Sequence, residues 1–254
     1  MTDFHTHSTF SFDGTEPIEN IVRAAIGKGI KTLAVTDHFE FFDGELSFTQ
    51  DKLKAYITEI TALKKQYAGQ INLLCGLEVG YTKNHADQLA DALAPHSFDY
   101  LINSVHEVNG IDCYFAEYFE NKTKSRAYGD YLTAVLDSLD APYPYHTAGH
   151  IGYVCRNSPY ANADIEYPEF KELLDAILQK LITKDKFLEI NPNIYGTARQ
   201  ETRHAFSPNV EILTAYKNMG GKKIIYGSDA HKSERLGDKY KEGVQILKNL
   251  GLAL

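Results

Sequence analysis

Cysteine is scarce in this chain of 254 residues: Cys75, Cys113 and Cys155 lie far apart and form no Cys-X-X-Cys pair. That spacing fits reduced, packed thiols in a cytoplasmic protein and not a disulfide framework. Clusters of Lys and Arg are also missing, and the formal net charge is -8. A phosphate backbone is held mainly by such clusters, so a nucleic-acid partner is not expected. No window reaches the roughly eighteen consecutive apolar residues that a membrane span requires. No charged and then apolar leader precedes the first motif, and repeats, low-complexity tracts and linkers are absent.

The chain holds enough apolar residues, 43%, to bury one substantial core, and the expectation is a single domain over residues 1–254. Apolar residues at helical spacing recur in Ile18, Ile21, Val22 and Ala25, behind a Thr15 cap and Pro17. They recur again in Leu53, Ile57, Ile60 and Leu63, and most clearly in Phe170, Leu173, Leu174, Ile177, Leu178 and Leu181. Between these helices run short apolar stretches of the kind seen in strands buried on both faces: 32–36, 71–77, 100–105, 187–190 and 223–226, with a weaker one at 147–150. Residues 39–48 and 107–120 read as loops. With the opening stretch, the pattern is seven strands alternating with seven helices, which predicts a parallel sheet closed into an α/β barrel.

Chemistry-bearing residues sit where these strands end. Asp3-Phe4-His5-Thr6-His7 places His5 and His7 on one face if the segment is extended, because side chains two apart share a face. Asp13 follows the opening stretch, and His38, Glu78, His106, His150, Asp229 and His231 lie at the ends of later apolar runs. One transition-metal ion takes about four to six ligands, so nine candidates imply two or three divalent cations. A bridging Glu or Asp gives one oxygen to each of two cations. His85, His96, His146 and His204 fall outside this pattern and read as non-ligands, and Asp37 reads as a supporting carboxylate for a ligand imidazole.

The segments Asp3-Phe4-His5-Thr6-His7 with Asp13-Gly14, Thr36-Asp37-His38, Gly76-Leu77-Glu78, Ser104-Val105-His106, Gly149-His150 and Ser228-Asp229-Ala230-His231 resemble, in order and over the whole chain, the polymerase-and-histidinol-phosphatase (PHP) superfamily. Within it, Thr36-Asp37-His38-Phe39 and Gly76-Leu77-Glu78-Val79-Gly80 look most like the monofunctional histidinol-phosphate phosphatases. The resemblance implies a distorted (β/α)7 TIM-like barrel with a metal site at the C-terminal face of its strands. It assigns His5, His7, Glu78 and Asp229 to a first ion, Asp13, His38 and His231 to a second, and Glu78, His106 and His150 to a third, the ions being Mn, Fe or Zn. Asp13 stands where some members have His.

Such a centre suits hydrolysis of a small phosphomonoester, because bridging cations both generate a nucleophile near neutral pH and neutralise the dianion. Asp229 and His231 are candidates for proton transfer to the leaving alcohol. Arg156 and Arg199 are candidates for forked phosphate contacts, with Arg203 a weaker third. Glu40, Asp43 or Glu45 is expected to meet an ammonium group, and Phe39, Phe42, Tyr114 or Phe115 to flank a ring. Competing readings are a phosphotyrosine, nucleoside monophosphate or nucleic-acid-end substrate, or a non-catalytic metal-binding module. An amidohydrolase, which also begins with His-X-His, would use a modified Lys where this chain has Glu78.

Overall fold

The computed structural model of the chain describes residues 1–42, 44–192 and 205–254. Among the described residues, seven barrel strands alternate with seven α-helices: β1 (Thr2–Asp3), α1 (Ile18–Gly27), β2 (Thr32–Val35), α2 (Gln50–Gln66), β3 (Asn72–Gly80), α3 (Ala86–Leu93), β4 (Tyr100–Ser104), α4 (Lys124–Ser138), β5 (Thr147–Ala148), α5 (Lys171–Thr183), β6 (Phe187–Pro192), α6 (Val210–Asn218), β7 (Ile224–Tyr226) and α7 (Tyr240–Asn249). Neighbouring strands pair in parallel in sequence order from β1 to β7. The ring closes where the chain after β1 meets the chain after β7. Phe4 N–H donates to Tyr226 O at 3.0 Å, Asp229 N–H to His5 O at 2.9 Å and His7 N–H to Ala230 O at 2.9 Å.

Alternation along β3 sorts its side chains. Leu73, Cys75, Leu77 and Val79 join the main core beneath the helices. On the opposite face, Leu74 packs with Phe4, Ala34, Tyr100 and Ile102 in a separate small cluster, and Glu78 shares that face. The helices bury the stripes that their periodicity predicts, including Ile18, Ile21, Val22 and Ala25 of α1 and Leu174, Ile177, Leu178 and Leu181 of α5. Cys75, Cys113 and Cys155 are all free and buried.

Several boundaries differ from the sequence reading. Thr15 does not cap α1, because its hydroxyl donates to His231 O at 3.2 Å and ties the first loop to the last. The stretch 39–48 is not a loop: His38–Phe42 extends β2 after a short break and pairs with β3, then folds back antiparallel through Glu45–Leu46. Residues 107–120 contain a hairpin of Glu107–Val108 with Ile111–Asp112, followed by a 3-10 turn at Ala116–Phe119. β6 continues through Asn191 and Pro192 and receives Phe206–Ser207 antiparallel. Among the described residues, no helix is long and apolar enough to cross a membrane.

Candidate metal centre

The extended chain beyond β1 runs between two neighbours, and its backbone is held on both sides. On one side Thr36 N–H donates to Thr6 O at 2.8 Å, and on the other His7 N–H donates to Ala230 O at 2.9 Å. The alternation then puts His5 and His7 together, fully buried, with ring centroids 5.1 Å apart.

Glu78 stands at the middle of the site. Its Oε2 lies 3.3 Å from His5 Nε2, 3.5 Å from His7 Nε2 and 3.0 Å from His38 Nδ1. Its Oε1 lies 2.8 Å from His150 Nε2 and 3.3 Å from His106 Nε2, and accepts the Ser104 hydroxyl at 2.7 Å. One carboxylate thus faces five imidazoles, with a different oxygen toward each side.

Asp229 adopts φ 54°, a left-handed conformation that Asp tolerates better than most residues. Its Oδ1 lies 3.1 Å from His7 Nε2 and 3.6 Å from His5 Nε2, while Oδ2 accepts from the Arg156 guanidinium. At the rim, Asp13 Oδ2 is 3.0 Å from His231 Nε2 and Asp13 Oδ1 is 3.6 Å from His38 Nε2. The His231 ring stacks on His7 at 4.1 Å. All nine proposed ligand side chains therefore converge on one mouth of the barrel.

These groups fit divalent cations. Nε2 of His5, His7, His106 and His231, Nδ1 of His38 and Oε2 of Glu78 are buried with no hydrogen-bond partner. Buried polar atoms are nearly always satisfied, and lone pairs aimed at one another are satisfied by a shared cation. Four sets bring candidate ligand atoms within 4.8 Å of one another: His5, His7 and Asp229; His7, His38 and His231; His5, Glu78 and His150; and His38, Glu40 and His106.

Without a cation, the charges of the cluster act strongly on one another. Burial disfavours charge on His5, but Glu78, Glu189 and Asp229 outweigh it and hold its pKa well above the ordinary value. Burial likewise opposes charge on His106, yet Glu40 and Glu78 raise it to about 10. His7 is held well below the ordinary value by burial and by His231 and His38. Burial would raise the Glu78 carboxyl, but the histidines around it, His5 first, bring it well below its usual range. Burial would raise Asp229 too, and Arg156 and His5 overcome it in the same direction.

A ring of supporting groups surrounds the cluster. Asp37 acts through serines and not directly on an imidazole: it accepts the hydroxyls of Ser8 at 2.7 Å and Ser11 at 2.6 Å, and Ser11 Oγ lies 3.0 Å from His7 Nδ1. Glu40 turns inward from the His38–Phe42 strand, with Oε2 2.8 Å from His106 Nδ1 and Oε1 3.1 Å from His38 Nδ1. Its carboxylate is thus paired with two imidazoles of the cluster while it also lines the cavities at the site. Burial would raise the Glu40 carboxyl, but His106 and His38 hold it at about 2. Glu189, which the sequence reading passed over, lies fully buried with Oε1 2.8 Å from His5 Nδ1. A carboxylate inside the apolar run Phe187-Leu188-Glu189-Ile190 was the available signal.

Arg156 lines the site, its guanidinium 5.1 Å from the Tyr153 ring centroid. Arg235 lines the same cavity and was not singled out from sequence. Arg199, Arg203, His204 and Asp43 lie outside the described residues. Phe39 is buried in the core, so it flanks no ligand, and Glu45 lines neither cavity at the site. Of the other histidines, His85 stacks on Phe41, His96 meets Gln50 and His146 accepts Leu101 N–H, all apart from the cluster.

Two cavities meet here. One, of about 420 Å³, lies over the cluster and is lined by Asp13, His38, His106, His150, Arg156, Asp229 and His231 among others. The second, also of about 420 Å³, shares Phe12, Glu40, His106 and Asp112 with the first. Phe42 and Phe115 add aromatic walls and Glu107 and Glu117 add carboxylates, with no Lys or Arg among the described lining residues.

Comparison with known proteins places these features in a family. The PHP domain profile matches residues 3–193. The histidinol-phosphatase of Lactococcus lactis is 32% identical over 92% of this chain and 85% of its own length. A probable histidinol-phosphatase of Thermotoga maritima is 31% identical over 98% of this chain and 91% of its own. The crystal structure of the Lactococcus lactis histidinol phosphate phosphatase, a complex with zinc, L-histidinol and phosphate, superposes with a TM-score of 0.88 at 31% identity. That match covers 99% of this chain and 94% of the other.

Proposed function

This chain belongs to the PHP domain family, and we propose that it hydrolyses L-histidinol phosphate to L-histidinol and phosphate, as a step of histidine synthesis in the cytoplasm. The whole chain, residues 1–254, is taken as one phosphatase domain. The observation that carries the reading is the junction of two cavities, one lined by the imidazole and carboxylate cluster with Arg156, the other aromatic and acidic.

The ligand sets favoured are His5, His7, Glu78 and Asp229; Asp13, His38 and His231; and Glu78, His106 and His150, which would hold two or three ions of Mn, Fe or Zn. The zinc bound by the Lactococcus lactis relative supports a metal of this class. Bound there, such cations acidify water and neutralise phosphoryl charge.

The chain's own groups do the rest. Arg156, already pinned to Asp229, presents a guanidinium beside the cavity where the phosphoryl oxygens would lie, and charge-assisted contacts of this kind are strong in a water-poor site. Asp229 and His231, which line the cavity over the cluster, are the candidates for passing a proton to the departing alcohol. The adjoining pocket suits that alcohol: Phe12, Phe42 and Phe115 offer faces to a flat ring, and Asp112, Glu107 and Glu117 offer charge to an ammonium.

Phosphate release by the metal-loaded protein should be measured on L-histidinol phosphate, phosphotyrosine, a nucleoside monophosphate and p-nitrophenyl phosphate. The reading expects L-histidinol phosphate to lead in kcat/KM by well over about tenfold. A smaller margin removes the specific substrate, and no turnover with metal present returns the chain to a binding module.

A further inference from the structure

Glu189 is the residue of this site whose placement is least explained by ligation. It lies wholly inside the barrel, midway along β6, where a carboxylate is costly unless both oxygens are engaged. Both are engaged, and by different halves of the cluster. Oε1 is 2.8 Å from His5 Nδ1, and Oε2 accepts the backbone N–H of His150 at 2.5 Å.

The neighbouring strand end is fitted closely to it. A Cβ on Gly227, on the neighbouring strand end, would fall 1.9 Å from Glu189 Oε1 and 2.6 Å from His5 Cβ, so only glycine admits the pair. Asn191, two residues along the same face of β6, donates to Gly227 O at 3.1 Å and fixes that close approach.

We propose that Glu189 is a positioning residue which sets the tautomer of His5 and, through the His150 backbone, aligns the first and third ligand sets with each other. An acceptor-only carboxylate at His5 Nδ1 requires a proton on that nitrogen. The lone pair is thereby left on Nε2, the atom that faces Glu78 and Asp229. This inference rests on the metal-centre reading of the proposed function.

Glu189→Gln tests it with nearly the same shape. If the amide oxygen faces His5, its NH₂ faces the His150 N–H, donor against donor. If the amide is turned round, its NH₂ demands an acceptor at His5 Nδ1 and moves the proton to Nε2. Either way the cluster is misarranged. Zinc-loaded wild-type and Glu189→Gln proteins are challenged with a graded chelator, with circular dichroism and thermal melting to confirm the fold, alone and in a His5→Ala background. The expected result is a loss of metal affinity of about 10- to 100-fold in the single variant. In the His5→Ala background the further loss should be much smaller, since the two residues act as a unit.

Nitrogen-15 chemical shifts of the histidine rings provide a second readout. They should place the His5 proton on Nδ1 in the zinc-loaded wild-type protein and report a change in the variant. Wild-type metal affinity in a folded Glu189→Gln protein, or full additivity with His5→Ala, overturns the inference. Failure of the wild-type protein to retain any zinc overturns the metal-centre reading itself, a separate outcome.

Discussion

His38 and Glu78 stand opposite one another in the register of two parallel strands, with His38 Nδ1 3.0 Å from Glu78 Oε2. The register is the one already set lower in the sheet, where Val35 faces Cys75. Two ordinary strands therefore deliver a histidine and a carboxylate to the same height at the barrel mouth, and sheet pairing performs the positioning.

His38→Ala removes an imidazole that faces Glu78, Glu40 and Asp13 without emptying the apolar core. Turnover should fall by about 10²-fold or more, while the circular dichroism spectrum stays that of the parent. Near-normal turnover would show this part of the cluster to be dispensable.

Tyr56 holds the join between β2 and its His38–Phe42 extension. Its buried hydroxyl lies 2.9 Å from Val35 O and 2.7 Å from Gly76 O. Tyr56→Phe leaves those carbonyls without that donor in the core and should cost about 1–3 kcal/mol in urea denaturation. Unchanged stability would mean that another donor takes its place.

Arg156→Ala strips Asp229 of its guanidinium partner. In the metal-stripped protein the buried carboxylate should then cost roughly 3 kcal/mol of stability. In the loaded enzyme kcat/KM should fall on the order of 10²-fold, with Arg156→Lys intermediate because it keeps the charge and loses the fork. Parent kinetics in Arg156→Ala would remove the phosphate contact from the account.

Metal uptake should release protons. Without a cation, His5 is held well above its ordinary pKa and His106 at about 10, so both carry protons at neutral pH, whereas His7 is already neutral. Ligation needs neutral imidazole, so apparent affinity should strengthen as pH rises from about 6 to 8, and calorimetric heats should vary with the buffer's ionisation enthalpy. The stripped protein shows the converse. The stabilisation from His106 is complete below the ordinary histidine pKa of about 6.5 and is lost as pH climbs through about 10. Buffer-independent heats would contradict this.

The sequence made the barrel legible because its buried strands are unbroken apolar runs and its helices carry clear stripes, as in β3 and α5. The candidate ligands other than Asp13 stood out because each lies at the end of such a run. Glu189 was missed because it sits inside a run and reads as an interruption, and the pairing of Glu40 with His38 and His106 was not legible because the aromatic and acidic residues around it resemble a loop. The extension His38–Phe42 shows why: its pairing with β3 is a long-range contact that local composition does not encode. Asp37 was read as holding an imidazole directly, but the serines of the loop after His7 come between them.

The most direct test is phosphate release from L-histidinol phosphate before and after the protein is stripped by a chelator and then restored with zinc or manganese. The account predicts that stripping abolishes release, that metal restores it, and that elemental analysis tracks the two together. Release that persists at its full rate in protein shown to be free of metal would contradict it.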